Sequence, residues 1–197
     1  MKTTFLFIVL FFISSAMYSQ TAEEYVKRGD TKDHKGAISD YTKAIELDSN
    51  FVKAYNRRGN AKGGLGDYRG AISDYTKAIE LDPNFATAYS NRGNAKINIG
   101  DYSGAITDYN KAIELNPHYP IAYKFRGAAK AEIKDYSGAI TDYTKAIELI
   151  PVFADAYFHR GLAKLKLNQV ESACLDFSKA KELDHDKAYD VFQKHCK

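Results

Sequence analysis

Between Asp67 and Pro83 the apolar residues fall in a rhythm of threes and fours. Ala71, Ile72, Tyr75, Ala78 and Ile79 stand at i, i+1, i+4, i+7 and i+8, the pattern of one buried helical face. Asp67 precedes this run as an N-cap, its carboxylate able to accept from the first free backbone amides. Pro83 follows it, and proline does not continue a helix. A second helix is predicted just upstream, with Ala54, Arg58, Ala61 and Leu65 on one face and Tyr55 and Gly59 beside them. Glycine inside a helix costs about 1 kcal/mol relative to alanine. Gly59 therefore predicts close packing, with small Ala71 and flat Tyr75 of the next helix lying against it.

The pair of helices recurs. Shifted by 34 residues, Tyr68–Pro83 matches Tyr102–Pro117 at 12 of 16 positions, and that segment matches Tyr136–Pro151 at 14 of 16. Agreement at that level marks an internal repeat, so the fold is read as a stack of like units. Gly59, Gly93, Gly127 and Gly161 form one column; Tyr75, Tyr109, Tyr143 and Phe177 form another. Five units are predicted: 22–51, 52–85, 86–119, 120–153 and 154–187. The first lacks four residues between Gly29 and Ala37, about one helical turn, which predicts a clipped first helix. A final helix over 188–196, anchored by Tyr189 and Phe192, is expected to cover the last apolar face, as stacked repeats require.

Residues 1–19 are different in kind. Lys2 leads into the apolar run Phe5–Ile13 and then Ser14, Ser15 and Ala16, the order of a secretory signal peptide and too short for a spanning helix. Cleavage is expected after Ser19, with Ala16 as the alternative. The reading is an exported protein, periplasmic or extracellular, with no membrane insertion after cleavage. The formal charge is +3 over 28 basic and 25 acidic residues, interspersed rather than clustered. Nucleic-acid binding would need a dense basic stripe, so no nucleic-acid partner is expected.

The 34-residue period resembles the tetratricopeptide repeat (TPR) family in its Gly column, its two Ala columns (Ala71 and Ala78 in the second unit), its aromatic column and its closing Pro83, Pro117 and Pro151. Tyr25, Tyr55, Tyr89, Tyr123 and Tyr157 stand where that family often has Trp. The resemblance covers residues 22–187. It implies an all-α fold, a right-handed α-solenoid of helix-turn-helix units with a C-terminal capping helix.

Two charged columns run through all five units: Arg28, Arg58, Arg92, Arg126 and Arg160 on the first helices, and Asp40, Asp74, Asp108, Asp142 and Asp176 on the second. They could grip a ligand or pair inside the stack. The Arg column lies between buried Ala columns and a buried charge persists only when paired, so an internal ion-pair ladder is preferred. Lys32, Lys62, Lys96, Lys130 and Lys164, one turn after the Arg column, are read as solvated.

The resemblance also implies that the first helices line a concave groove. That places Asn56, Asn60, Ser90, Asn91, Asn94 and Asn98 along repeats two and three, and Lys124, Phe125, Phe158, Leu162 and Leu165 along repeats four and five. Asn amides both donate and accept, so a row of them suits an extended peptide backbone; the apolar end suits a hydrophobic anchor. Some family members clamp a C-terminal carboxylate with paired Asn and flanking basic residues. Asn60 and Asn91 match the Asn part, but Ile121 and Phe125 stand where the cations belong, which argues against that activity.

Cys174 and Cys196 lie equally far from a turn near His185, so antiparallel helices would bring them together. In an oxidising compartment a disulfide is expected. His34, His118, His159, His185 and His195 have no metal-ligand spacing. No catalytic motif is visible, so no enzyme, cofactor or metal is expected. The function read from the sequence is a scaffold that binds an extended segment of another protein. The alternatives are a self-associating structural component of an envelope assembly and an accessory subunit that positions substrate for a separate enzyme.

Overall fold

The computed structural model describes residues 20–196, and the expected signal segment lies outside them. Eleven helices follow one another among the described residues: α1 (Ala22–Gly29), α2 (His34–Leu47), α3 (Val52–Gly64), α4 (Tyr68–Leu81), α5 (Ala86–Asn98), α6 (Tyr102–Leu115), α7 (Pro120–Glu132), α8 (Tyr136–Leu149), α9 (Ala154–Lys166), α10 (Val170–Glu182) and α11 (Ala188–His195). Each helix packs on its sequence neighbours, giving five pairs and an odd terminal helix. The fold is all-α. The first helix of the first pair has 8 residues where α3, α5, α7 and α9 have 13.

Local chemistry starts and stops these helices. The side chains of Asp33, Asp67, Asp101 and Asp135 each accept from the backbone amide three residues on, capping α2, α4, α6 and α8. Gln169 makes no such bond, so α10 starts without a side-chain cap. The first helices of repeats two to five end on a left-handed residue, Gly66 and Gly100 but then Lys134 and Asn168, with φ of 82°, 80°, 66° and 57°.

The core is small and repetitive. Ala54, Ala71, Ala78, Ala88, Ala105 and Ala112 are fully buried, and Tyr75, Tyr109, Tyr143 and Phe177 fill the space between helices. A Cβ added at Gly59 would come within 2.6 Å of the Tyr75 ring, and one at Gly161 within 2.6 Å of Phe177. The glycine column thus exists because an aromatic ring occupies the volume a side chain would need. Leu65, expected on the buried face of α3, is exposed because it lies past the last turn as the C-cap.

The charged columns meet inside each repeat. Arg58, Arg92, Arg126 and Arg160 reach Asp74, Asp108, Asp142 and Asp176 at 2.7, 2.7, 2.6 and 2.7 Å, each through a two-pronged pair of hydrogen bonds. The guanidinium also donates backward to the preceding unit: Arg58 to Thr42, Arg92 to Thr76, Arg126 to Asn110 and Arg160 to Thr144. It lies over Tyr55, Tyr89, Tyr123 or Tyr157, three residues earlier, at 5.4–5.6 Å from the ring centre. The lysine column departs from the solvated reading. Lys62, Lys96, Lys130 and Lys164 contact the second carboxylate oxygen of the same Asp at 2.8–2.9 Å. The reason is geometric: i+4 returns to the Arg's face, and Oδ2, which already accepts from the Arg Nε, has a further lone pair for the Lys.

Candidate binding groove

The first helices touch one another in sequence, α3 with α5, α5 with α7 and α7 with α9, so their outward residues make one continuous face. Along α3 and α5 that face is an amide network. Tyr75 Oη donates to Asn60 Oδ1 at 2.8 Å and Tyr109 Oη to Asn94 Oδ1 at 2.6 Å. Asn91 Nδ2 donates to Asn56 Oδ1 and Asn60 Oδ1, at 3.1 and 3.0 Å, tying α5 to α3. Asn98 Nδ2 donates to the Asn94 carbonyl. Burial raises the pKa of Tyr75 and Tyr109, which keeps both hydroxyls as donors. Each hydroxyl takes an Oδ1, and the amide nitrogens of Asn60 and Asn94 donate to no group among the described residues.

Not all the residues expected on the groove reach it. Asn56 and Ser90 are buried, and the Ser90 hydroxyl has no hydrogen-bond partner among the described residues. Asn56 is covered by α5, whose Asn91 donates to it. Asn60 and Asn98 are exposed, while Asn91 and Asn94 are half-buried. A cavity of about 500 Å³ opens beside Asn56, Arg57, Asn60 and Phe85, and another of about 490 Å³ beside Asn60, Asn91, Asn94 and Asn98.

The other half of the face has different chemistry. Lys124 is not a free cation: it pairs with Asp155 at 3.0 Å and lies over Phe125 at 4.3 Å. Phe125 stacks on Tyr109, ring centres 6.5 Å apart. Phe158 is buried rather than open, because His185 stacks on it at 4.1 Å from the turn before α11. Leu162 and Leu165 are half-buried with Val191, Phe192 and Cys196 packed in the same cluster. His159 packs on Tyr143 at 5.9 Å; burial, aided by the nearby Lys124, lowers its pKa, so the imidazole is neutral at pH 7.

The terminal helix closes the stack through Ala188, Val191 and Phe192. Tyr189 is exposed rather than an anchor: the buried face of α11 is centred on Ala188 and runs through Val191 and Phe192, and Tyr189 lies to one side of it. Cys174 and Cys196 form a disulfide with a Cα–Cα distance of 5.6 Å, fixing the end of α11 to α10. Among the described residues no group of acidic, His or Cys side chains is arranged to hold a metal. No helix among them is long and apolar enough to cross a membrane.

Comparison with known proteins agrees with this architecture. Tetratricopeptide repeat profiles match residues 52–85, 86–119, 28–51 and 154–192, and a TPR repeat profile matches 127–168. The chain is similar to the crystal structure of MamA protein, with 32% identity over 85% of this chain and 94% of that one and a TM-score of 0.75. It belongs to the tetratricopeptide repeat family, whose members are usually non-enzymatic scaffolds for proteins and peptides. A structure of the first TPR of Spaghetti bound to an HSP90 peptide is 30% identical, over 61% of this chain and 96% of that one, with a TM-score of 0.60. YrrB, described as a TPR protein with an unusual peptide-binding site, shares the fold: TM-score 0.74 over 87% of this chain and 92% of that one, at 23% identity. No curated protein matches the chain significantly.

Proposed function

We propose that this protein is exported and holds an extended segment of a partner protein along the face of α3, α5, α7 and α9. One observation carries the reading: the Tyr-oriented amides of Asn60 and Asn94, with Asn91 between them. Their nitrogens offer donors to peptide carbonyls, and the free Oδ1 of Asn91 offers an acceptor to a peptide N–H. Such contacts read backbone rather than side chains, which suits an unfolded strand. The Spaghetti TPR structure holding a peptide supports the same use of the fold. Export rests on the charge, apolar run and small residues of positions 1–19, and the disulfide agrees with an oxidising compartment.

The test is selection from a displayed library of random peptides, followed by affinity measurement on Asn60→Ala/Asn94→Ala. Ala at this position already occurs in repeat four as Ala128, so the double variant is expected to fold. Peptide affinity should drop at least about tenfold, as loss of two good hydrogen bonds implies. Enriched peptides that bind the variant as tightly would overturn the groove assignment.

A further inference from the structure

The aromatic column and the residue facing it change together along the stack. Tyr41 donates to Asp30, Tyr75 to Asn60 and Tyr109 to Asn94. In repeat five both polar members are replaced, by Phe177 and Leu162. Repeat four alone keeps the tyrosine and loses its acceptor. Tyr143 has the same reach, but the residue awaiting it is Ala128, and its hydroxyl makes no hydrogen bond among the described residues.

Tyr143 borders a cavity, as Tyr75 does beside Asn60; what differs in repeat four is the unpaired hydroxyl. A cavity of about 430 Å³ lies between α7 and α9, lined by Ala128, Ala131, Leu162, Tyr143 and His159. Tyr143 is 1% exposed as a residue, so its hydroxyl is a fixed tip on a locked ring. Burial raises its pKa, keeping it a donor. Neutral His159, stacked on that ring, adds one nitrogen that donates and one that accepts. The charged residues lining the cavity are Glu132, Lys134 and Lys166, a net charge of one positive.

We infer that this cavity is a subsite for a phenolic side chain of the segment held in the groove. The phenol ring matches the apolar walls, and its hydroxyl both accepts from Tyr143 and donates to His159. An aliphatic side chain would bring nothing to pair with the Tyr143 hydroxyl. A carboxylate is the competing ligand, because Lys134 and Lys166 line the cavity, but the walls of Ala128, Ala131 and Leu162 favour a ring over a small anion. The inference rests on the groove reading and gives it a side-chain preference.

The probe is p-cresol, the tyrosine side chain as a free molecule, titrated into the full chain while the methyl NMR signals of Ala128, Ala131 and Leu162 are followed. Saturable shifts are expected with a dissociation constant on the order of millimolar. Toluene should bind about 3- to 10-fold more weakly, the worth of one hydrogen bond. Tyr143→Phe, which installs the pairing already present at Phe177, should bring p-cresol down to the toluene level. Ala128→Asn, which rebuilds the Tyr75–Asn60 pairing and so occupies the Tyr143 hydroxyl, should likewise bring p-cresol down to the toluene level. Equal binding of p-cresol and toluene, preferential binding of acetate, or undiminished binding in Ala128→Asn each overturns the phenolic subsite. Because the assay needs no peptide, its failure beside a successful peptide selection removes this inference alone. Success without any selected peptide removes the groove reading instead.

Discussion

Repeats two and three and repeats four and five are built on one frame and finished differently. In both halves an Arg from the first helix and a Lys one turn later close on a buried Asp: Arg92 and Lys96 on Asp108, Arg126 and Lys130 on Asp142. Above that shared layer the first half carries Asn60, Asn91 and Asn94, satisfied by tyrosines and by one another. The second half carries Ala128, Phe125, His159 and Leu162 at the same positions, and a cavity of similar size. The lesson is a division of labour by depth. The columns that hold the stack recur because every interface poses the same packing and charge problem. The outward positions carry no such constraint, so the chemistry of binding is free to vary there.

The largest effect should be blind to that difference. Asp108→Asn and Asp142→Asn each leave two cations beside a neutral amide in a buried site, and a broken buried pair costs about 3–5 kcal/mol. Denaturant midpoints should fall to a similar extent for both variants, and a marked inequality would mean that the halves differ below the groove as well. Next comes a cost confined to the second half. Cys174→Ser opens a crosslink between residues 22 apart in sequence and should lower stability by about 3 kcal/mol, read as loss of amide protection in α10 and α11 but not in α3.

A finer separation comes from the tyrosines. Tyr109→Phe breaks its bond to Asn94 and should cost about 1 kcal/mol, whereas Tyr143→Phe should be nearly neutral in thermal melting. Equal costs would show that the Tyr143 hydroxyl has a partner. Of similar size and opposite sign, Lys134→Gly should stabilise by about 0.5–1 kcal/mol, because Lys134 holds φ of 66° where the first half uses Gly100. The smallest effect is one of pH. Burial lowers the folded-state pKa of His159, so the unfolded chain takes up the proton first as pH falls below the ordinary histidine value. Stability should therefore be full near pH 7 and decline from about pH 6.5 downward until the folded form is also protonated, and His159→Phe should remove that decline. Repeat one, outside both halves, has its own acid limit: the Arg28 hydrogen bond, reinforced by Lys32, holds Asp40 at about 2, so its contribution is lost only as pH falls below 3.8 toward that value.

The amino-acid sequence alone determined the helices, their pairing and their number, because caps, apolar period and the 34-residue repeat are local and recur in register. It also pointed to the glycine–aromatic contact and to Cys174 facing Cys196. What it could not determine was which polar group satisfies which. Lys96 as a second partner of Asp108, the bonding of Asn60 and Asn94 by two hydroxyls, the burial of Asn56, Ser90 and Phe158, and the exposure of Tyr189 all depend on distances between separate helices. Hydrogen bonds and ion pairs act over about 3 Å, less than one helical turn. A periodic pattern specifies the face a residue takes, and only the packed stack decides whether that residue meets solvent, a neighbouring side chain or an empty space.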